Sequence, residues 1–345
     1  FNVRYIIFGF AGNDFFSGGG GDDFMDGGTG IDTVDYRHWD GGGTYNLLTE
    51  VAAFSGYYNE EIRNFENIHT GDGADVVIGT HGANRIYTNG GNDFISALGG
   101  NDFISAGSGA DQVYGGSGND FISGGSGDDF MDGGSGIDTV DYRHWDGGGV
   151  YNLTTEVASF TGYYNEEIRN FENIYTGDGA DIVIGNAAAN VINTGDGNDY
   201  INGSGGDDQL IGGRGNDTIV GGFGNDRING SSYTSQGTGE RDILISGSMG
   251  DSDTFVLGES GRVFYNDQGY TDHAVLQDFD VHDFFGDIAD KIQLLGSAAS
   301  YSLSNVSVSG IAGAGIHYAG DLIGIVQNVS SASLNLTDTN QFTYV

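Results

Sequence analysis

The decisive stretch of the sequence is residues 88–141, which read TNGGNDFIS, ALGGNDFIS, AGSGADQVY, GGSGNDFIS, GGSGDDFMD and GGSGIDTVD. One nine-residue unit recurs there without a shift in phase, with glycine in its first half, Asp at position six and a large apolar residue at position eight. The alternation in Asp93-Phe94-Ile95-Ser96 is typical of a short strand. Period-two geometry points Ile95 inward and turns Phe94 and Ser96 outward.

The same unit accounts for much of the remaining chain. Clean units cover residues 9–35, 70–141 and 176–229, and they number 17 in all. Two stretched units follow, around Asp242 and Asp253. Self-similarity at a fixed short period is the signature of a solenoid, in which each coil contacts only its neighbours.

A longer period is superimposed on the short one. Residues 18–78 align with residues 124–184 with 8 differences in 61 positions, which indicates a tandem duplication. Each copy contains the same 34-residue interruption, at 36–69 and at 142–175.

Two units form one coil of 18 residues, so equivalent turns stack every 18 residues, with strands roughly 4.8 Å apart. Asp93, Asp111 and Asp129 are then expected in one column, and Asp102, Asp120 and Asp138 in a second column. Carboxylates at this spacing repel one another strongly. Ca²⁺ between the turns would take six to eight carboxylate and carbonyl oxygens. The alternative is that each Asp caps a glycine turn without any metal.

The composition excludes several classes of protein. The net charge is −38, Asp accounts for 39 of the 49 acidic residues, and the chain has 65 Gly but no Pro and no Cys. Such a chain does not bind nucleic acid by neutralising phosphates. It has no disulfide framework and no thiolate metal site. It has no apolar run of the ~18 residues that a transmembrane segment needs, and without Pro it is not collagen.

The unit GGxGxDxUx, where U is a large apolar residue, resembles the repeats-in-toxin (haemolysin-type) calcium-binding family. The interruptions, with DTVDY at the start and IRNFENI at the end, resemble spacers in serralysin-type β-rolls. The resemblance implies an all-β fold, a parallel β-roll (β-solenoid) with a C-terminal β cap. It also implies export by type I secretion and Ca²⁺ held by the sixth-position Asp residues.

The metal ligands implied in this sequence are Asp14, Asp23, Asp32, Asp75, Asp93, Asp102, Asp111, Asp120, Asp129, Asp138, Asp181, Asp199, Asp208, Asp217, Asp226, Asp242 and Asp253. Asn84 and Asn190 replace Asp at position six, and the sites there are expected to be weaker or absent. About a dozen bound Ca²⁺ would move the net charge from −38 to about −14.

The interruptions contain the most unusual chemistry, because Tyr-Arg-His-Trp-Asp at 36–40 recurs at 142–146. Three interpretations are open: a small packed core, a glycan contact, or a catalytic group. We favour packing and expect Trp39, Tyr57, Tyr58 and Phe65 to form that core. The chain lacks a His-Glu-x-x-His motif, a Gly-x-Ser-x-Gly elbow and any Cys. We therefore expect no enzyme and no catalytic residue.

The sequence predicts a calcium-binding β-roll over 1–229 and a second region over 230–345. The second region contains degenerate repeats, acidic segments at 278–280 and 287–290, and a C-terminal segment with only two charged side chains after 292. That segment resembles an uncleaved type I secretion signal, so we expect a secreted, extracellular protein. Attachment to the cell surface is one form of this hypothesis.

The expected function is a calcium-binding structural or surface protein that self-associates into a fibre or layer. This expectation depends on outward-facing phenylalanines at position seven, since repeated apolar surface groups mark contact sites. They are Phe15, Phe24, Phe94, Phe103, Phe121 and Phe130. One alternative is a non-catalytic adhesive module that binds cell-surface polysaccharide. Another is the export and folding appendage of a longer secreted enzyme or toxin.

Overall fold

The computed structural model describes residues 4–54, 56–160, 162–231, 239–248, 251–259, 261–266, 270–281 and 289–345. Within these ranges the protein contains no α-helix, only two short 3-10 turns at Ala298–Ser300 and Ser331–Ser333. No helix in these ranges is long and apolar enough to cross a membrane. The chain divides into two compact units, Phe1–His144 with Glu156–Asn173, and Trp145–Thr155 with Ile174–Val345.

The strands are β1 Ile6–Phe8, β2 Phe15–Phe16, β3 Phe24–Asp26, β4 Thr33–Asp35, β5 Thr44–Asn46, β6 Val51–Ala53, β7 Asn59–Arg63, β8 Asn67–His69, β9 Val76–Ile78, β10 Arg85–Tyr87, β11 Phe94–Ser96, β12 Phe103–Ser108, β13 Gln112–Ser117, β14 Phe121–Ser126, β15 Phe130–Ser135, β16 Thr139–Tyr142, β17 Gly149–Asn152, β18 Val157–Phe160, β19 Asn165–Arg169, β20 Asn173–Thr176, β21 Ile182–Ile184, β22 Val191–Asn193, β23 Tyr200–Gly205, β24 Gln209–Gly213, β25 Thr218–Phe223, β26 Arg227–Ser231, β27 Ile243–Gly247, β28 Thr254–Val256, β29 Gly258–Glu259, β30 Arg262–Val263, β31 Ala274–Gln277, β32 Lys291–Leu294, β33 Tyr301–Val308, β34 Ile311–Tyr318, β35 Asp321–Gln327 and β36 Phe342–Tyr344.

The first unit is a parallel β-roll, as the repeat predicts. Successive strands alternate between two sheets, which we call sheet 1 and sheet 2. In sheet 1, β9, β11, β13 and β15 pair in parallel, and in sheet 2, β8, β10, β12, β14 and β16 do the same. The register is 18 residues, with Ile95 opposite Val113 and Ile104 opposite Ile122. Two nine-residue units therefore form one coil.

The core of the regular coils is a single row of eighth-position side chains from each sheet. Ile95, Ile104, Val113, Ile122 and Met131 are each 0% exposed. Their neighbours at positions seven and nine face outward, as the alternation predicts. A core this narrow buries few apolar atoms per residue, so the regular coils need another source of stability.

The interruption at 36–69 enlarges sheet 1 without enlarging sheet 2 to the same extent. Three strands enter sheet 1 in the order β3, β7, β6, β5, β9, and β6 runs antiparallel to both of its neighbours. In sheet 2 only β8 is added, between β4 and β10. Sheet 1 thus gains two more strands than sheet 2, and the widened space between the sheets has to be filled.

Aromatic side chains fill that space. Tyr36, Tyr45 and Phe54 are at most 2% exposed, and the ring centroid of Phe54 lies 5.3 Å from that of Tyr36 and 5.7 Å from that of Tyr45. Tyr58 and Phe65 are buried as expected. The expectation for Tyr57 is wrong, because its side chain is 71% exposed, although its ring contacts that of Trp39 in an edge-to-face arrangement. A local apolar pattern cannot tell which of two adjacent tyrosines the turn points inward.

The second unit repeats the two-sheet arrangement and ends in a β cap. In one of its two sheets, β17, β21, β23, β25, β27, β31 and β35 pair in parallel, and β33, β34 and β35 form an antiparallel meander. In its other sheet, β20, β22, β24, β26, β28, β32 and β36 pair in parallel. The acidic stretch predicted from Asp287 begins outside the described residues.

Candidate metal centre

The turns stack so closely that a side chain at position four would collide with the turn before it. Gly109, at position four, has a φ of 140°, and a methyl group built on it would lie 1.6 Å from the carbonyl oxygen of Gly91 in the preceding turn. Gly115, at position one, would place such a methyl 2.4 Å from Oδ2 of Asp120. Gly115 therefore keeps clear the space beside the Asp120 carboxylate, which a Cβ would fill, although position one is Ala in the units at 97–105 and 106–114.

The sixth-position aspartates form the predicted columns. The backbone N–H of Asp102 donates to Oδ1 of Asp120 (2.8 Å), and that of Asp120 donates to Oδ1 of Asp138 (2.7 Å). The same bond links Asp93 to Asp111 and Asp111 to Asp129. Each carboxylate is thereby fixed by the turn before it, at 0–3% exposure.

The remaining predicted ligands occupy equivalent places within their own units, except Asp14, which lies in the first turn of the roll and is half-buried. In the first unit, the Oδ1 atoms of Asp23, Asp32 and Asp75 accept the N–H groups of Tyr5, Asp14 and Gly43. In the second unit, the acceptors are Asp181, Asp199, Asp208, Asp217, Asp226, Asp242 and Asp253. The stretched spacing before Asp242 and Asp253 therefore leaves both residues in their columns.

The second oxygen of these carboxylates is the chemically informative atom. Among the described residues, the buried Oδ2 atoms without a hydrogen-bond partner belong to Asp14, Asp23, Asp32, Asp75, Asp93, Asp102, Asp111, Asp120, Asp129, Asp138, Asp181, Asp199, Asp208, Asp217, Asp226 and Asp253. Asp242 differs, because the hydroxyl of Tyr265 donates to its Oδ2. A buried, unpaired carboxylate oxygen is costly, so this repeated arrangement points to a cation.

Burial perturbs these carboxyl groups strongly. Loss of hydration raises the pKa of Asp102 and of Asp129 to about 7, against the backbone hydrogen bonds that lower it. In the second unit, burial and the neighbouring Asp242 raise the pKa of Asp217 to about 9. Folding without a cation therefore favours protonated carboxyls, whereas a bound cation favours the ionised form.

The available ligands suit a hard cation. Within the described ranges no three His, Asp or Glu side chains form a metal cluster. Turns such as that of Asp120 instead offer one free carboxylate oxygen beside a backbone carbonyl, here that of Gly133, which a methyl on Gly115 would approach to 2.7 Å. Carboxylate and carbonyl oxygens are the ligands that Ca²⁺ prefers. The sixth-position Asp residues and the glycine-turn carbonyls would hold the ion.

Sequence reasoning missed several residues of these columns. In the interruptions, Oε2 of Glu66 accepts the N–H of Asp32 and Oε2 of Glu172 accepts that of Asp138, both at 2.8 Å. Asp290 similarly accepts the N–H of Asp253 through Oδ1 (3.0 Å). Both glutamates lie in the segment NEEIRNFENI, in which the carboxylates that enter the columns are six residues apart instead of nine. The nine-residue pattern therefore did not reveal them.

The fifth position contributes a second ladder that the repeat alone did not predict. Oδ1 of Asn92 accepts the N–H of Ala110 (3.0 Å), and Oδ1 of Asn101 accepts that of Asn119 (2.9 Å). The direction is opposite to that of the Asp ladder, because the acceptor here lies in the earlier turn. Asn is frequent at position five, directly before the sixth-position Asp, and this was the signal that could have predicted the ladder.

Asn84 has different partners from the aspartates of its column. Its Oδ1 accepts the N–H of Thr80 (2.7 Å), and its Nδ2 donates to the carbonyl oxygen of Glu66 (2.7 Å). An amide donor therefore contacts a backbone carbonyl of the neighbouring turn. In the second unit, Asn190 likewise accepts the N–H of Asn186 (2.9 Å). A weak or absent ion at Asn84 and Asn190 stays a prediction.

The fold and its turns define a β-roll built around repeated oxygen-rich, carboxylate-bearing sites. The family model of the RTX calcium-binding nonapeptide repeat matches residues 6–34, 69–104, 105–140, 175–210 and 202–232. A comparison with curated proteins finds no match. The chain belongs to the family of proteins with RTX calcium-binding nonapeptide repeats, and these repeats bind Ca²⁺.

Proposed function

We propose that this is a secreted, non-enzymatic structural protein that folds when Ca²⁺ binds outside the cell. The observation that carries the proposal is the buried, unpartnered Oδ2 atom that recurs turn after turn. With a net charge of −38, the ion-free chain resists compaction. Ca²⁺ that binds only the folded roll stabilises it by mass action.

The proposal assigns roles to the two regions expected from the sequence. Residues 1–229 would be the calcium-binding roll, and 230–345 would contain the cap and the secretion segment. About a dozen ions, on the sixth-position Asp ligands, would bring the net charge from −38 to about −14. In a calcium-poor cytosol the same chain would stay open enough for export.

Circular dichroism tests the proposal. Calcium-free protein at neutral pH should give a coil spectrum, and millimolar Ca²⁺ should convert it to a β spectrum. Mg²⁺ at the same concentration is the control, since it demands a near-octahedral shell and gives up its bound water reluctantly. A full β spectrum in excess chelator would contradict the proposal.

We further propose that the folded roll self-associates through a row of rings on the outer face of sheet 2. The row consists of Phe15, His69, Tyr87, Phe103 and Phe121. Successive ring centroids are 5.9, 4.6, 5.5 and 5.4 Å apart. The sequence predicted only the Phe103–Phe121 contact, in which the two rings stack at 5°.

Arginines from the interruptions cover part of this row. The guanidinium of Arg37 lies 5.8 Å from the ring centroid of Phe15, and that of Arg143 lies 5.6 Å from Phe121. Phe103 and Phe121 are half-buried, whereas Phe15 is 54% exposed. The expectation of fully exposed rings is therefore only partly met. The row still presents apolar area that a second copy could bury.

Light scattering in Ca²⁺ tests the association. Phe103→Ser with Phe121→Ser should reduce assembly at least tenfold, because the variant removes the centre of the row. Gln112→Ser with Gln209→Ser is the control at the same repeat position. If the parent stays monomeric at high concentration, or the first variant assembles like the parent, self-association through this row is wrong.

A glycan ligand is the second candidate, favoured by polar groups beside the same rings. A cavity of about 640 Å³ is lined by Phe15, His69 and Tyr87 together with Asn67 and Arg85. Trp39 favours it less, since its ring packs on Phe54 and its Nε1–H donates to Gly42 O. Affinity electrophoresis in a neutral glucan gel should show retardation that Tyr87→Ser abolishes and Trp39→Phe preserves.

A further inference from the structure

Two buried glutamates of the interruptions continue the Asp column of sheet 1. Phe24 pairs with Glu61 and Phe130 pairs with Glu167, so Glu60 lies next to Asp23 and Glu166 next to Asp129. Both glutamates are 2% exposed, as deeply buried as the aspartates they follow. The interruption therefore places a carboxylate where the next sixth-position Asp would stand.

Each glutamate has one fixed oxygen and one unsatisfied oxygen. The hydroxyl of Tyr36 donates to Oε2 of Glu60, and the hydroxyl of Tyr142 donates to Oε2 of Glu166, both at 2.5 Å. In the described part of the chain, Oε1 of each glutamate is buried without a hydrogen-bond partner. The Oδ2 atoms of Asp23 and Asp129 are also buried without a hydrogen-bond partner. Tyrosine thus replaces the backbone N–H that orients Asp in a regular turn.

A protonated glutamate would not resolve this arrangement. A proton on Oε1 would have no acceptor among the described residues. A proton on Oε2, donated to the tyrosine hydroxyl oxygen, would leave Oε1 a buried carbonyl oxygen without a donor. An ionised carboxylate would instead lie beside Asp22 and Asp23, whose negative charges repel that of Glu60. Like charges in one buried place are tolerated when a cation lies among them. A cavity of about 700 Å³, lined by Asp22, Asp23, Tyr58 and Glu60, leads from solvent to this group.

We propose that Glu60 and Glu166 each complete an additional Ca²⁺ site, Glu60 together with Asp23 and Glu166 together with Asp129. The inference rests on the proposed calcium-coupled folding and extends it to the interruptions. Each interruption would then act as a ligand-bearing segment that closes the Asp column of sheet 1 with an ion.

Native mass spectrometry of the full chain at saturating Ca²⁺ tests the assignment. The test variant is Glu60→Gln with Glu166→Gln, because Gln keeps the shape and accepts the tyrosine hydrogen bond but has no charge. It should bind two fewer Ca²⁺ than the parent. The control is Glu61→Gln with Glu167→Gln, which alters the adjacent exposed residues and should bind as many ions as the parent.

The outcomes separate this inference from the proposed function. An unchanged ion count in the test variant would show that both glutamates are neutral hydrogen-bonding groups and would overturn the inference. A parent that binds no Ca²⁺ would overturn the proposed function itself. If the double variant does not fold, the ion count of the single variant Glu60→Gln decides the question. We expect it to bind one ion fewer than the parent, and an unchanged count would contradict the assignment.

Discussion

The regular coils at 88–141 and the interruption at 36–69 belong to the same roll but are stabilised in different ways. A regular coil contains one buried aliphatic side chain per strand, such as Ile104, and a buried Asp in each turn. The interruption instead buries large rings, including Tyr36, Tyr45 and Phe54. The comparison teaches that the thin coils depend on their buried carboxylates, and under the proposed function on the ions these would bind, whereas aromatic packing adds a wide core where sheet 1 widens.

The largest expected effect comes from calcium removal, and it should depend on pH. The pKa of Asp102 is about 7 in the folded roll, against an ordinary 3.8, so the folded form binds protons more tightly than the unfolded chain. Calcium-free protein should therefore be least stable above pH 7 and should gain stability as the pH falls towards 4. Chelating-resin-treated protein should show more β signal at pH 5 than at pH 8.

With Ca²⁺ present, the pH dependence should reverse. Protons compete with the ion for the same carboxylates, so calcium affinity should fall as the pH drops below 7. Calorimetric titration at pH 8 and pH 6 measures this difference. Equal affinities at both values would show that the buried Asp residues are not the ligands.

The next largest effect should follow from blocking the stacking of two turns. Gly109→Ala places a methyl 1.6 Å from a backbone oxygen and imposes a positive φ on alanine, so we expect a loss of about 5 kcal/mol in thermal unfolding with Ca²⁺. Gly12→Ala is the matched control. It has a φ of 118° but meets no atom within 4 Å among the described residues, so about 1–2 kcal/mol is expected.

The interruption should respond more strongly to packing changes than the regular coils do. Phe54→Ala removes a ring that lies 4.6 Å from Tyr58 and 5.2 Å from Trp39, centroid to centroid. We expect a loss of about 3–5 kcal/mol in unfolding free energy with an unchanged calcium count. Chemical denaturation and native mass spectrometry on the same sample measure both. Lost ions together with retained stability would reverse the contrast between the two regions.

Within the regular coils, the position in the column should decide the cost of losing one Asp. Asp111 links to Asp93 and Asp129 through backbone hydrogen bonds, so Asp111→Ala should remove about two ions. Asp14→Ala, in the first described turn, should remove fewer. Calcium stoichiometry on both variants checks this, and equal losses would contradict ion sharing between turns.

The smallest effect is expected at the junction, where its sign should change with calcium. Asn84→Asp removes the Nδ2 donor to Glu66 O and adds a charge. The variant should be less stable than the parent without Ca²⁺, by about 1–3 kcal/mol, and should bind one more ion when Ca²⁺ is present. An unchanged ion count would mean that the column is interrupted there for reasons other than Asn84.

The regular coils could be predicted almost completely, because their structure follows from local periodicity. Alternation placed Ile95 and Ile104 inside, and the 18-residue coil placed Asp93 over Asp111. The interruption could not be predicted to the same depth. Tyr57 and Tyr58 are adjacent in sequence and both contact Trp39, yet only Tyr58, whose ring centroid lies 4.6 Å from that of Phe54, is buried.

The sequence by itself determined the repeat phase, the two-sheet roll and the columns of Asp, since each depends on a period of nine residues. Only the tertiary structure decided which carboxylate oxygen stays unpartnered, and that Glu60 and Glu66 enter the columns after Asp23 and Asp32. It also decided that β5 and β6 add to sheet 1 and not to sheet 2. The physical reason is that the glutamates meet their columns across 34 and 37 residues and that β5 pairs with β9 across 32 residues, separations that a nine-residue pattern does not encode.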